Sequence, residues 1–196
     1  TFRELVHAVA EGRSLEAVQG LAFLKDGEVV RSDPRPVVGW DQLLDCPWEL
    51  LDFEDYRGPL LARQTIDNGY PMGHIPRIEV SYYSSFGCPI QCTFCCSPEV
   101  SGLRWKAMPA SRMLDDIEAL KARWGFDGLH FYDANFGVTE KRVREFCEGL
   151  LERGIEIEWY AYLQAQSILG YDESTLDLMQ RSGLYACVIG AERCIR

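Results

Sequence analysis

The sequence has few cations and no long apolar run, and each shortage argues against a class of function. The sequence contains 20 Lys and Arg against 30 Asp and Glu, which gives a formal net charge of -10. This balance argues against a dedicated nucleic-acid surface, because phosphates are bound by clustered cations. No apolar stretch approaches the roughly 18 residues of a membrane span. We therefore expect no nucleic-acid partner and no membrane span.

Several catalytic and targeting motifs are also missing. The sequence has no Walker phosphate loop, no His-Glu-x-x-His motif and no secretory signal at its start. The missing secretory signal and the missing apolar run favour a cytoplasmic protein. The chain begins at Thr1 without a methionine, so we expect it to be part of a longer protein.

Strand and helix patterns alternate through the second part of the chain. Apolar runs and helical periodicity predict strands at residues 78–83, 126–132, 155–163 and 184–190, and helices at 111–124, 139–153 and 174–181. Such alternation is typical of βαβ units and a parallel sheet, and predicts an α/β fold. Ser111 and Thr139 are the expected N-caps of the first two helices, and the charged run from Glu140 to Arg142 is expected to be solvated.

The first part of the chain has a different pattern. Residues 1–12 have the apolar spacing of a short helix. Residues 21–31 predict a hairpin whose tight turn is formed by Asp26 and Gly27. Residues 32–58 are rich in proline but also contain large apolar side chains, which predicts a connector that packs against other residues rather than a disordered linker.

Three closely spaced cysteines follow the first predicted strand of the α/β part. Cys88, Cys92 and Cys95 are separated by three and then two residues, and three thiolates on one short loop can each bind a different iron of a cubane cluster. A zinc site with Cys96 as fourth ligand is an alternative, although zinc sites usually pair distant Cys-x2-Cys knuckles. Eight cysteines in 196 residues are too few to suggest a disulfide scaffold. Buried thiols are the default for Cys46, Cys147 and Cys187.

The loop also has distinctive flanks. It opens Gly-Cys-Pro, and Phe94 stands just before the third cysteine. In these features it resembles the cluster loop of the radical S-adenosylmethionine (radical SAM) enzymes. The resemblance implies a [4Fe-4S] cluster held by Cys88, Cys92 and Cys95, with SAM chelating the open iron beside Phe94. One electron from the cluster would then cleave SAM to methionine and a 5'-deoxyadenosyl radical.

The implied fold is a TIM-like partial (β/α)6 barrel. Four strands can be counted before Arg196, so we expect a barrel that is incomplete at its C-terminus. Residues 1–56, with their Gly-Leu-Ala-Phe hairpin and proline-rich Trp/Leu stretch, resemble the passage that follows the cobalamin-binding domain in the B12-dependent branch of the family. We therefore expect a connector at residues 1–57, the remnant of a cobalamin-binding domain, and a radical SAM core at residues 58–196.

The resemblance also implies which residues contact SAM. Asp133 and Asn135 follow the second strand and could accept hydrogen bonds from the SAM ammonium group; the alternative is that they cap a turn. Gln164 ends the third strand, where the branch often carries Arg-x-Asp, and could form a neutral hydrogen bond or be a plain polar strand end. Glu192 lies in a Gly-x-Glu pattern after the fourth strand and could bind the ribose or the amine.

Two other groups are expected to be structural. Tyr132, Tyr160 and Tyr162 have the spacing of packed strand residues. His130 lies in an apolar run, and His74 is isolated. We expect His130 to be hydrogen-bonded in the core.

The sequence therefore predicts a radical SAM enzyme that carries out B12-dependent methyl transfer or a related cyclisation. Cobalamin would be bound mainly by sequence outside this chain. The alternatives are a radical SAM enzyme without cobalamin and a non-catalytic zinc or iron–sulfur module. A small-molecule substrate and an electron donor such as flavodoxin or ferredoxin are the expected partners.

Overall fold

The computed structural model describes residues 1–36, 38–42, 46–56 and 78–190. The chain forms two compact units, Thr1–Leu44 and Asp45–Arg196. The domain boundary expected at residues 57 and 58 falls on residues that are not described, so that division stays a prediction.

The first unit contains the predicted helix and hairpin. Helix α1 is Phe2–Ala10, and strands β1 (Ala22–Lys25) and β2 (Glu28–Arg31) pair antiparallel. Asp26 and Gly27 have φ angles of 52° and 85°. A two-residue type I′ turn requires positive values at both positions, so the predicted turn is confirmed.

The second unit contains a four-stranded parallel sheet. Its strands are β3 (Glu79–Tyr82), β6 (Gly128–Phe131), β7 (Glu158–Gln164) and β8 (Leu184–Gly190), in that spatial order. All three pairings are parallel. Spatial order follows chain order, as it does when crossovers wind steadily round a barrel. The predicted α/β class is confirmed, whereas completeness of a barrel is not shown, because the description ends at Gly190.

Three long helices connect these strands. They are α3 (Ala110–Trp124), α4 (Glu140–Glu152) and α6 (Glu173–Arg181). Thr139 does occupy an N-cap position, but its side chain makes no capping bond. The prediction of Ser111 as N-cap was wrong: α3 begins one residue earlier, and Pro109, with φ of -56° and ψ of 144°, is the N-cap.

The core lies between the sheet and the helices. Phe131, Phe136, Phe146 and Trp159 are fully buried, with ring centroids 4.3–5.9 Å apart. The indole N–H of Trp159 donates to the carbonyl of Ser182 at 3.1 Å, so burying this ring leaves no unpaired donor. Successive side chains of a strand point to opposite faces of the sheet. The strand residues next to Phe131 and Trp159 therefore lie on the other face of the sheet, which we call the inner face.

The end of the proline-rich connector packs as expected. Short 3-10 turns form at Trp48–Leu50 and Phe53–Tyr56. The Phe53 ring stacks on Trp124 with centroids 4.5 Å apart, and Trp48 meets the edge of Trp124 at 5.6 Å. These contacts fix residues 46–56 to the C-terminal end of α3.

Several short elements were not predicted. Strands β4 (Ser85–Phe86) and β5 (Lys106–Ala107) pair antiparallel on either side of the cysteines, and α2 (Ser97–Ser101) and α5 (Ala165–Leu169) are single helical turns. The β4–β5 pairing closes residues 87–105 into one loop, which we call the cysteine loop. Among the described residues, no helix has both the length and the apolarity needed to cross a membrane.

Candidate functional site

A cavity of about 210 Å³ lies between the cysteine loop and the carboxyl ends of the strands. This is the edge at which α/β sheets build their sites. Six of the eight predicted site residues line it: Cys88, Cys92, Phe94, Cys95, Asn135 and Gln164. Of the other two, Asp133 is buried away from the lining, and Glu192 lies outside the described residues.

The three cysteines predicted as cluster ligands are free thiols that line the same cavity. Cys88 is buried, and Cys92 and Cys95 are half-buried. Within the described part of the chain, no three His, Cys, Asp or Glu side chains are arranged to hold a single metal ion. A structural zinc needs four ligands that converge on one point, whereas cluster thiolates bind different irons and surround a wider space. Three thiols that line one cavity are a donor set that fits a [4Fe-4S] cluster with one iron left open.

Cys96 does not join this group. Its side chain is exposed and does not line the cavity. Cys96 instead occupies the N-cap position of α2, where its side chain makes no capping bond. In the described residues, the zinc alternative therefore lacks its expected fourth ligand.

The environment of Cys95 favours a thiolate. The backbone N–H of Ser97 donates to the Cys95 sulfur at 3.4 Å. Hydrogen bonds from the Ser97 hydroxyl and then from its backbone N–H lower the pKa of the Cys95 thiol. The thiolate is the form that binds metal, and hydrogen bonds to the sulfurs tune the potential of a cluster.

The glycine before the first cysteine is required by the loop. Gly87 has a φ of 77°, and a Cβ at this position would lie 2.0 Å from the carbonyl oxygen of Arg104. No side chain fits at that distance. The Gly-Cys-Pro opening of the motif therefore has a steric cause: the two ends of the cysteine loop touch at Gly87.

The side-chain oxygens of two carboxamides at the cavity accept hydrogen bonds from nearby backbone N–H groups. Asn135 is almost fully buried, and its Oδ1 accepts the N–H of Gly137 at 3.2 Å. Its Nδ2 has no hydrogen-bond partner among the described residues. Gln164 is the N-cap of α5, and its Oε1 accepts from the N–H and hydroxyl of Ser167 at 3.0 and 3.3 Å. Both side chains are thus left with an NH2 donor, whereas Asn135 was expected to be an acceptor.

Asp133 lies beneath the loop rather than in the cavity. Its carboxylate is completely buried and accepts hydrogen bonds from both Ser84 and Ser85. These bonds reach residues 48 and 49 positions earlier in the chain, so they are not the capping of the following turn that was the alternative role for Asp133. The guanidinium of Arg142 reaches the same place, since Arg142 is 7% exposed and donates to Ser84.

The prediction that Arg142 is solvated was therefore wrong. A charged residue on a helix is usually exposed. The folded structure explains its burial, because Arg142 donates to the carbonyls of Met108 and Ser84 and lies near the buried charge of Asp133. No pattern in the sequence around Arg142 could have revealed this.

The inner face of the sheet carries His130 beside several tyrosines. The His130 ring is fully buried and stacks on Tyr160 with centroids 3.9 Å apart. Neither ring nitrogen has a partner among the described residues, so the expected hydrogen bond is not found there. Burial lowers the pKa of His130 to about 4, which keeps the imidazole neutral near pH 7. Tyr132 and Tyr162 pack beside it at 4.2 and 5.4 Å.

A buried carboxyl joins the two edges of the described sheet. The hydroxyl of Tyr185, on β8, donates to Glu79, on β3, at 3.3 Å. β3 and β8 are separated by two strands, so the sheet must curl strongly for these side chains to meet. Desolvation raises the pKa of Glu79 to about 7, against the opposing effect of the Tyr185 hydrogen bond.

Comparison with known proteins agrees with this geometry. The sequence matches no protein-family model. An uncharacterised methyltransferase of Pyrococcus horikoshii is 26% identical over 193 residues, which cover 98% of this chain and 38% of that protein. The anaerobic magnesium-protoporphyrin IX monomethyl ester cyclase of Synechocystis is 25% identical over 192 residues, covering 98% of this chain and 35% of that protein.

A solved structure has the same fold. It is that of TsrM from Kitasatospora setae, a radical SAM methyltransferase with cobalamin and a [4Fe-4S] cluster bound, which superposes with a TM-score of 0.61 at 19% identity. The match covers 96% of this chain and 35% of that one. The predicted resemblance in fold to a cobalamin-binding radical SAM enzyme is confirmed. This chain spans little more than a third of the length of the relatives it matches.

Proposed function

We propose that this chain is the cluster-bearing part of a radical SAM enzyme. Cys88, Cys92 and Cys95 would hold a [4Fe-4S] cluster, and the adjoining cavity would hold SAM. The observation that carries the proposal is that all three thiols and three further predicted residues line one cavity at the carboxyl ends of the sheet. The cluster would supply the electron that cleaves SAM reductively, giving the 5'-deoxyadenosyl radical that abstracts hydrogen from a substrate.

The chain's own residues would bind and orient the cofactor. Phe94 lines the cavity beside the cysteines and offers an aromatic face for the adenosyl part. The NH2 groups of Asn135 and Gln164 are donors, so they would bind oxygen atoms, such as those of the SAM carboxylate, rather than its ammonium group. Glu192 keeps its expected role toward the ribose or the amine.

We further propose that the whole protein uses cobalamin for methyl transfer or a related cyclisation. Support comes from the relatives, which are a methyltransferase and a cyclase, and from the cobalamin bound in the structural neighbour. Cobalamin would be bound mainly outside this chain. The substrate would be a small molecule, the electron donor a flavodoxin or ferredoxin, and the compartment a reducing cytoplasm.

The test uses the full-length protein after anaerobic reconstitution with iron and sulfide. We expect a brown protein with four irons per chain that, with a reductant, cleaves SAM to 5'-deoxyadenosine. Cys92→Ala should abolish iron loading and cleavage. Cys96→Ala is the matched control, because that neighbouring thiol is exposed and outside the cavity; it should behave as wild type.

Three outcomes would contradict parts of the proposal. A colourless zinc-loaded protein would replace the enzyme with a binding module. Equal losses in the Cys96→Ala and Cys92→Ala variants would show that the cysteine assignment is wrong. A protein that cleaves SAM but retains no added cobalamin would be a radical SAM enzyme of other chemistry.

A further inference from the structure

We propose that Asp133, together with Arg142, positions the cysteine loop and does not contact SAM. The inference rests on the proposed function, because it assumes that the loop holds the cluster. It goes further by assigning a role to two buried charged residues that both bond Ser84.

The hydrogen bonds to Asp133 leave no room for a cofactor. Oδ1 accepts the backbone N–H groups of Ser84 and Ser85 at 2.7 and 3.1 Å, and Oδ2 accepts their hydroxyls at 2.5 and 2.8 Å. A carboxylate has about four acceptor positions, and all four are occupied by residues of this chain. An ammonium group could bind only by displacing one of these donors.

Arg142 completes the arrangement from the helix side. Its Nη2 donates to the carbonyl and the hydroxyl of Ser84 at 3.1 and 2.5 Å, and its Nε donates to the carbonyl of Met108 at 2.9 Å. Asp133 and Arg142 thus hold Ser84 between them. A buried charge is tolerated when an opposite charge and hydrogen bonds compensate it. Burial disfavours the charged form of Arg142, and the nearby charge of Asp133 opposes that effect.

The pair acts on both ends of the cysteine loop. Ser84 and Ser85 lie at the start of β4, and Met108 directly follows β5. The N–H of Met108 donates to the carbonyl of Ser84 at 2.8 Å, so the two ends are also bonded to each other. Cys88 is four residues after Ser84, and a displacement of Ser84 would therefore move the first cluster ligand.

The variant Asp133→Asn tests this role, because it keeps the shape of the side chain. Its amide group can accept at one oxygen only, so two of the four donors lose their partner, and Arg142 loses its counter-charge. In the full-length reconstituted protein, we expect cluster iron to be lost to a chelator about ten-fold faster or more, the factor for one buried hydrogen bond. The electron paramagnetic resonance (EPR) signal of the reduced cluster should broaden.

Two further variants separate positioning from general stability. Ser85→Ala removes one of the four donors and should produce the same change to a smaller extent, which keeps the test available if Asp133→Asn does not fold. Thr175→Val is the control, because Thr175 is a buried hydrogen-bonded residue on α6, bonded to Glu140 and Arg144 rather than to the loop. It should lower thermal stability without changing iron release or the EPR signal.

The outcomes distinguish this inference from the proposed function. If Asp133→Asn keeps wild-type iron release and EPR signal but binds SAM more weakly, Asp133 is a SAM ligand and the inference is wrong. If Thr175→Val releases iron as fast as Asp133→Asn does, the effect is general instability, and the inference is again wrong. If the wild-type protein itself assembles no cluster, the proposed function fails, and this inference with it.

Discussion

At the cavity, Asn135 and Gln164 each use the amide oxygen in their own loop and keep the NH2 group as a donor. A carboxamide can donate or accept, so the sequence could place both residues near a ligand but could not tell which atom faces it. The N–H groups of Gly137 and Ser167 decide this, because they bind the amide oxygens. The position of these two residues at the cavity was predictable, because each follows a strand. Whether its free amide atom donates or accepts depends on the local turn.

Gln164→Glu should weaken SAM binding by about ten-fold, the effect of replacing a donor by an unmatched negative charge at a carboxylate. The new carboxylate keeps the oxygen that caps α5, so the local fold should be preserved. SAM affinity can be measured by titrating the reduced, cluster-loaded protein. Ser167→Ala is the matched control: it removes the hydroxyl that bonds Gln164 and should leave the affinity unchanged. Unchanged affinity in Gln164→Glu would rule out a contact between this residue and the SAM carboxylate.

At the scale of elements, long periodic segments were predictable and short ones were not. The sheet strands and long helices have apolar patterns that identify them locally. Strands β4 and β5 have two residues each, too few for any period. Their ends are bonded to Asp133 and Arg142, which are distant in sequence. The same long-range contacts explain why the burial of Arg142 was missed. The elements that shape the site depend on contacts between distant residues.

Gly87→Ala should prevent the cysteine loop from closing. Its Cβ would lie 2.0 Å from the Arg104 carbonyl oxygen at a φ of 77°, so both the backbone conformation and the close contact oppose it. Gly102→Ala is the matched control in the same loop, with a φ of 61° and open space around its Cβ. The control should cost only the roughly 1–2 kcal/mol of a left-handed residue and still load iron. We expect Gly87→Ala to load little iron, and equal iron contents in the two variants would refute the steric argument.

At the scale of the whole molecule, two buried groups of the inner face give stability opposite dependences on pH. The pKa of Glu79 is raised to about 7 from 4.5. Its contribution to the free energy of unfolding is therefore full below pH 4.5 and is lost as pH rises through 7. The pKa of His130 is lowered to about 4 from 6.5, so its contribution is full above pH 6.5 and is lost as pH falls towards 4. In both cases, the folded chain resists the charged form.

Glu79→Gln should therefore gain thermal stability relative to wild type on going from about pH 5 to about pH 8. Glutamine cannot ionise, so only the wild-type chain must bury a carboxylate at the higher pH. His130→Phe should show the opposite trend, gaining relative to wild type as the pH is lowered. Circular dichroism melting curves at both pH values check this. Differences in melting temperature that do not vary with pH would contradict the assigned pKa shifts.

The central claim is that three thiolates hold a four-iron cluster and leave one iron open for SAM. The most direct measurement is the EPR spectrum of the reduced, full-length protein with and without SAM. We predict the spectrum of a reduced [4Fe-4S] cluster whose line shape changes when SAM is added, and no such spectrum from Cys92→Ala. A cluster spectrum that SAM leaves unchanged, or a protein that binds zinc and gives no cluster signal, would contradict the claim.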